Sequence, residues 1–349
     1  MKETEIGYQS TSKYLGVPIV WIEDIRLLPY STSSILYSVN LLIFNFLNDS
    51  DTYQLDNKTP FIIAHEFFDA LPIHAFQSVA PSPDNQPQQA TLPAAVSESK
   101  FFTKHSETPQ WRELMVALNA GALVENIRDE PEFQLTLAKA STPSSLVLPE
   151  ISDRYKALKS QPGATIEISP ESRIYAAEFA RRIGWSLVDS KVRLSTAGSS
   201  TPSSSKKQPS GAALIIDYGP SSSIPINSLR GIRQHAKLSP FAFPGQVDVS
   251  ADVDFTGLVE AALEASEGVE VHGPVEQGDY LHSLGITERA AQLLKEVKDE
   301  KQREVLETGW KRLVDKAPGG MGKLYKVLAI VPENAGRRRP LGFGGDVAS

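Results

Sequence analysis

The chain of 349 residues contains no cysteine. Disulfides, thiolate metal sites and cysteine nucleophiles are therefore excluded, and a reducing compartment is compatible with the composition. Histidine is scarce, six in all, and no two stand in a His-x-x-x-His pair, so no metal site is expected. Positive charge is also in short supply: Lys and Arg number 35 against 42 Asp and Glu, a formal net charge of −7. That balance gives no sign of the basic face a phosphate backbone requires, and nucleic acid is not an expected partner. Long apolar runs are lacking too. The most apolar early stretch, residues 35–47, is interrupted by Ser38, Asn40 and Asn45 and falls short of the roughly 20 residues of a membrane span. Residues 1–14 carry Glu3 and Glu5 without an Arg-rich amphipathic pattern, so no transit or signal peptide is read there.

What is present divides by composition. Residues 80–100, rich in Pro, Gln and Ser, and residues 190–210, rich in Ser, cannot bury enough apolar surface to offset their ordering entropy. We read both as low-complexity surface insertions within a single domain over residues 1–349, with a solvated tail over 333–349 that contains Arg337, Arg338 and Arg339. Short apolar runs at 17–21, 60–64, 73–79, 164–168 and 213–217 predict buried strands. A helix is predicted over 171–183, after Ser169 and Pro170 as cap and first-turn proline, with Ile174, Ala177, Phe179 and Ile183 as its apolar stripe. Near-helical spacing of Ala291, Leu294, Val297, Val305, Leu306, Trp310, Leu313 and Val314 predicts a helix pair within 287–315, packed into the core. A closing strand follows at 323–331. Strands alternating with helices make an α/β fold.

Three places carry candidate chemistry. An apolar strand ends in Ala64-His65-Glu66-Phe67-Phe68-Asp69-Ala70-Leu71-Pro72, and ligands of open parallel sheets sit at the carboxyl ends of strands. Glu66 and Asp69, three apart, would share one side of a first helical turn. There they either grip a donor-rich cation or serve the helix dipole, and spacing leaves both open. A second strand ends in Asp217-Tyr218-Gly219-Pro220, and two strand ends rich in acids suggest a shared site. The third place is the polar, turn-forming sequence from Leu229 through His235 and on to Phe255. His235 could act as a base, a substrate contact or a hydrogen-bonded surface residue.

At these places the sequence resembles the NDUFAF7/MidA family of mitochondrial and bacterial proteins. The resemblance is carried by the Ala64 to Pro72 block, by Ile215-Ile216-Asp217-Tyr218-Gly219, by Arg230-Gly231 to His235, and by Pro244-Gly245 through Asp248 to Asp254-Phe255. Later blocks are Gln277-Gly278-Asp279-Tyr280-Leu281, Leu284-Gly285-Ile286, and Met321 to Leu328. It implies a class I, Rossmann-like methyltransferase sheet with added β-strands and a C-terminal helical segment. It also implies S-adenosyl-L-methionine as cofactor, an arginine of a complex I subunit as the methylated group, and a place in mitochondria. A planar guanidinium is matched by carboxylates, which makes Glu66 and Asp69 the first candidates for catalysis and substrate binding. Asp217 and Tyr218 are further substrate-binding candidates and His235 a further catalytic one.

The family's Gly-Pro-Gly-x-Gly loop, which lets the backbone approach the cofactor, has no counterpart. Gly7 and Gly16 are isolated, and Gly319-Gly320-x-Gly322 reads as a turn before the closing strand. Residues 17–21 resemble the family's third strand, so the sheet is expected to be incomplete in its N-terminal half, lacking the first two strands. No cofactor-binding residue is assigned, and weak or no cofactor binding is expected of this chain. Residues 31–57 form an unusually long connection whose run 41–47 has no evident partner. The alternative to a methyltransferase is a non-catalytic assembly or interaction protein that has lost cofactor binding.

Overall fold

The computed structural model describes residues 2–4, 7–11, 18–21, 35–38, 41–47, 58–81, 108–119, 131–184, 209–234 and 236–344, the strands before residue 58 by their backbone alone. The strands are β1 (Lys2–Thr4), β2 (Gly7–Thr11), β3 (Pro18–Trp21), β4 (Ile35–Ser38), β5 (Leu41–Leu47), β6 (Lys58–His65), β7 (His74–Val79), β8 (Gln110–Leu118), β9 (Phe133–Leu137), β10 (Thr165–Ile168), β11 (Ala212–Tyr218), β12 (Arg230–Arg233), β13 (Ala236–Leu238), β14 (Asp248–Ser250), β15 (Val269–Glu276) and β16 (Tyr325–Pro332). The helices are α1 (Pro143–Val147), α2 (Asp153–Leu158), α3 (Pro170–Gly184), α4 (Phe255–Ala265), α5 (Gln277–Ser283), α6 (Ile286–Glu296) and α7 (Glu300–Val314).

The sequence reading treats residues 1–349 as one domain, whereas the contacts sort the chain into two compact units. One holds residues 1–71, 171–223 and 252–349, and the other residues 72–170 and 224–251. The first unit is built on a sheet of order β1-β2-β3-β4-β5-β6-β11-β16-β15. β6 and β11 are parallel, in register from Phe61 opposite Ala212 to His65 opposite Ile216. β16 runs antiparallel to both β11 and β15, so β15 shares the direction of β11.

Alternation along these strands decides which side chains meet helices. Ile62 and Ala64 of β6, Ala213 and Ile215 of β11, and Leu328 and Ile330 of β16 pack with Ala176, Phe179, Ala180 and Ile183 of α3 and with Leu258, Ala261 and Ala262 of α4. On β16 the intervening Val327 and Ala329 pack with Phe343, Tyr280 and Val275. The α/β reading is borne out, as are the strands at 60–64 and 213–217 and the helix after Pro170.

Several expectations change. The buried stripe of α3 runs through Ala176, Phe179, Ala180 and Ile183, while Ile174 is exposed. Positions 176, 179/180 and 183 follow the 3.6-residue period from the end that faces the sheet, and Ile174 falls off that line. The helix pair exists as α6 and α7, but Val305 is 72% exposed and no residue of α7 is fully buried. Among the described residues α7 packs chiefly against α5 and α6. The run 41–47 does find a partner: β5 pairs antiparallel with β6 over all seven residues, from Leu41 opposite Ala64 to Leu47 opposite Lys58. Part of the tail is packed, because Phe343 is buried against β16, although Arg337, Arg338 and Arg339 are exposed. Nearly all of the 80–100 and 190–210 insertions lie outside the described residues.

In the second unit, the strands expected at 73–79 and 164–168 are present but do not continue the parallel sheet. β10 pairs antiparallel with β7, Thr165 opposite Gln77 through Ile168 opposite His74, in a four-stranded sheet of order β10-β7-β8-β9. Its core is Phe76, Trp111, Tyr155, Ile166 and Ile168. A small sheet of order β13-β12-β14 completes this unit.

Candidate functional site

β6 and β11 run in the same direction, so their carboxyl ends lie at one edge of the first unit's sheet, and β16, reversed, begins there. The chain leaves β6 through Glu66, whose φ of 48° is left-handed and uncommon for a residue with a Cβ. The Glu66 amide still donates to the Ile216 carbonyl at 3.0 Å. A turn follows, closed by Leu71 N–H to the Phe68 carbonyl at 3.3 Å. The spacing of Glu66 and Asp69 predicts a helical turn, but none forms there. Three consecutive amides, those of Phe67, Phe68 and Asp69, donate to Asp217 Oδ2 at 3.1, 2.9 and 3.3 Å. One side-chain oxygen thus accepts the three successive amides of the turn.

Asp217 is 0% exposed, and its Oδ1 accepts the Tyr218 amide at 2.9 Å. Burial, with the Asp69 charge next in effect, pushes its carboxyl up to about 8, although the backbone donors oppose the shift. One buried acid therefore ties the turn after β6 to the end of β11. Gly219 comes next, where a Cβ would lie 2.5 Å from the Val253 carbonyl oxygen. The close approach lets the Val253 amide donate to the Tyr218 carbonyl at 3.0 Å and brings the Asp252 to Asp254 segment to the same edge. Asp254 then caps α4 by accepting the Gly257 amide at 3.1 Å.

Two phenols address the two remaining acids. Tyr218 Oη donates to Asp69 Oδ2, and Tyr325 Oη donates to Glu66 Oε1 at 2.7 Å. The two tyrosine rings stand edge to face, 5.4 Å between centroids, a favoured aromatic geometry. Burial, aided by the bond to Glu66, pushes the Tyr325 phenol up, so it remains a donor. Lys326, opposite both Asp217 and Glu276 in the ladders, is buried, and burial holds its ammonium below the usual lysine range.

The structure therefore gathers Glu66, Asp69, Asp217 and Tyr218, while His235 lies outside the described residues. Asp69 and Asp217 are buried and Glu66 is half-buried. Tyr325 and Lys326 were legible only as part of a closing strand. The single signal was their place at its first residues, which a reversed strand beside β11 brings to the acidic edge. Among the described residues, no group of three or more His, Asp and Glu side chains is placed to hold a metal ion, and no helix is long and apolar enough to cross a membrane.

A family model described as S-adenosyl-L-methionine-dependent methyltransferase matches residues 10–275, and the chain belongs to that family. It is 29% identical over 273 residues to the Drosophila melanogaster protein arginine methyltransferase NDUFAF7 homolog, mitochondrial, covering 78% of this chain and 47% of that one. The human protein arginine methyltransferase NDUFAF7, mitochondrial, is 25% identical over 283 residues, 81% of this chain and 47% of its own length. The chain thus spans about half the length of these curated relatives. Its fold is similar to that of a Burkholderia thailandensis protein crystallised with S-adenosyl-homocysteine, at a TM-score of 0.50 and 16% identity over 86% of this chain and 59% of that one.

An S-adenosyl-L-methionine donor brings a sulfonium charge and needs a cradle for its adenosine and amino-acid ends. Carboxylates at the strand ends suit the charge, but none of the described residues forms a glycine-rich loop after a strand.

Proposed function

We propose that the protein is an S-adenosyl-L-methionine-dependent protein arginine methyltransferase and that the carboxyl edge of β6 and β11 is its acceptor site. Family membership supports the class of reaction, and the names of the relatives support arginine as the acceptor. The observation that carries the assignment is the pairing of Tyr325 with Glu66 and Tyr218 with Asp69 over the buried Asp217. A guanidinium is planar, cationic and rich in N–H donors, and carboxylates held at a fixed orientation recognise it.

The donor supplies a methyl group on a positively charged sulfur, which transfers by in-line displacement and needs mainly positioning. The rest falls to the chain. Glu66, the most accessible of the three acids, receives the guanidinium, and its orientation is set by Tyr325. Asp69, buried behind it and bonded to Tyr218, adds negative charge to the same edge. Methylation leaves a proton to be lost from the attacking nitrogen, and Glu66 is the group placed to accept it. Asp217 touches no substrate in this reading, because its oxygens are committed to backbone amides. It positions the turn that carries Glu66 and Asp69. The acceptor is an arginine of a complex I subunit, and the protein acts in mitochondria.

The test is methyl transfer from labelled S-adenosyl-L-methionine to arginine-bearing protein, read by mass spectrometry of the modified residue. Glu66→Gln should lower transfer at least about tenfold. Methylation unchanged in Glu66→Gln would remove Glu66 from the acceptor site. Absence of both donor binding and transfer to any arginine would favour the alternative, a non-catalytic assembly or interaction protein that has lost cofactor binding.

A further inference from the structure

β9 is the last strand in the order of its sheet among the described residues, with β8 as its one strand neighbour there. Its sequence, Phe133-Gln134-Leu135-Thr136-Leu137, alternates apolar and polar residues symmetrically about Leu135 and carries no charge and no proline. The ladder sets Leu114 opposite Leu137, Val116 opposite Leu135 and Leu118 opposite Phe133. Residues directly opposite share a face. These six therefore form one apolar face on a ribbon whose outer part lies beyond β7, since β7 pairs only with residues 110–114 of β8. Val116, Leu118 and Leu135 are 57%, 61% and 38% exposed. An uncharged edge strand bordering an exposed apolar face is a template for further pairing.

The hydrogen-bond parity says which residues would pair. Asn119 donates to the Glu132 carbonyl and Ala138 to the Glu113 carbonyl, each at 2.8 Å. Even-numbered residues from 132 to 138 therefore bond to β8, and the N–H and C=O groups of Phe133, Leu135 and Leu137 point away from it. The outward groups thus centre on the same residue as the sequence symmetry.

We propose that β9 pairs antiparallel with β9 of a second copy of this chain, about a two-fold axis at Leu135. Phe133 then bonds to Leu137 of the other copy and Leu135 to its own counterpart, and the apolar faces of the two ribbons become one. The flanks agree with that direction. Glu132 and Lys139, both exposed, bracket the extended segment, and antiparallel pairing brings Glu132 opposite Ala138 of the other copy and beside its Lys139. Parallel pairing would set like charges together. The occupant is a second copy because one strand supplies matching register, matching apolar face and complementary flanks to itself, as a two-fold interface requires.

Sedimentation equilibrium of the whole chain tests this. At about 100 μM, well above the roughly micromolar dissociation constant of a small interface, the chain should sediment at twice its 38.1 kDa mass. Leu135→Lys places two ammonium groups face to face at the axis and should weaken association at least roughly 100-fold, as should Leu135→Glu. Mixing the two variants should restore the doubled mass, which variants that merely failed to fold could not do. A monomeric parent chain, a Leu135→Lys protein that remains dimeric, or a mixture that stays monomeric would each overturn the proposal, including the case in which a different protein covers this face.

Discussion

A carboxyl group with no solvent contact must be matched by donors or give up its charge, and Asp217 faces both pressures. It accepts four backbone amides, from Phe67, Phe68, Asp69 and Tyr218, while burial raises its pKa to about 8. In the unfolded chain the same group titrates near ~3.9. Between those values the folded chain holds one proton more than the unfolded chain. Stability from this group is therefore fullest below about pH 4, falls as pH rises and levels off above about pH 8. The slope is at most about 1.4 kcal/mol per pH unit. Urea unfolding at pH 5, 6.5 and 8 should show that decline, and Asp217→Asn, which does not titrate, should flatten it. An equal slope in the variant would assign the dependence to other groups. Tyr325→Phe removes a donor to a charged acceptor, a bond worth roughly 1.5–3 kcal/mol. It should leave circular dichroism unchanged and weaken binding of an arginine peptide about tenfold. Undiminished binding would show that Tyr325 does not position Glu66.

At the scale of elements, α3 shows how far periodicity reaches. Its span was legible from Ser169-Pro170 and the apolar spacing, yet its buried line was set by the sheet beneath it. Phe179 is fully buried, edge-on to Phe68 at 6.0 Å, whereas Ile174 faces outward. Phe179→Ala should cost about 4 kcal/mol in denaturant unfolding and Ile174→Ala less than about 1 kcal/mol. Comparable losses would contradict the observed face. The acids at the ends of β6 and β11 were legible too, because apolar strands that stop at acids are visible one strand at a time. The helical turn expected after β6 was not what formed. Its amides are captured by Asp217, 148 to 150 residues away, and no local pattern encodes a partner that distant. Tyr325 escaped notice for the same reason, since it meets Glu66 across 259 residues. β7 and β10 were found as strands but not as antiparallel partners, because a short apolar run says nothing of its neighbour.

At the scale of the molecule, one sheet of the first unit presents the acidic edge and one ribbon of the second unit presents an apolar face. The chain belongs to a methyltransferase family and spans about half the length of its curated relatives. The proposed acceptor site needs no donor to be examined, so its chemistry can be tested alone. The most direct measurement is isothermal titration of the chain with two peptides that differ only in arginine or lysine at one position, repeated with Glu66→Gln and Asp69→Asn. The arginine peptide should bind more tightly than the lysine peptide, and each substitution should weaken it about tenfold or more. Equal binding of the two peptides, or arginine binding untouched by both substitutions, would contradict the assignment of this edge as an arginine acceptor site.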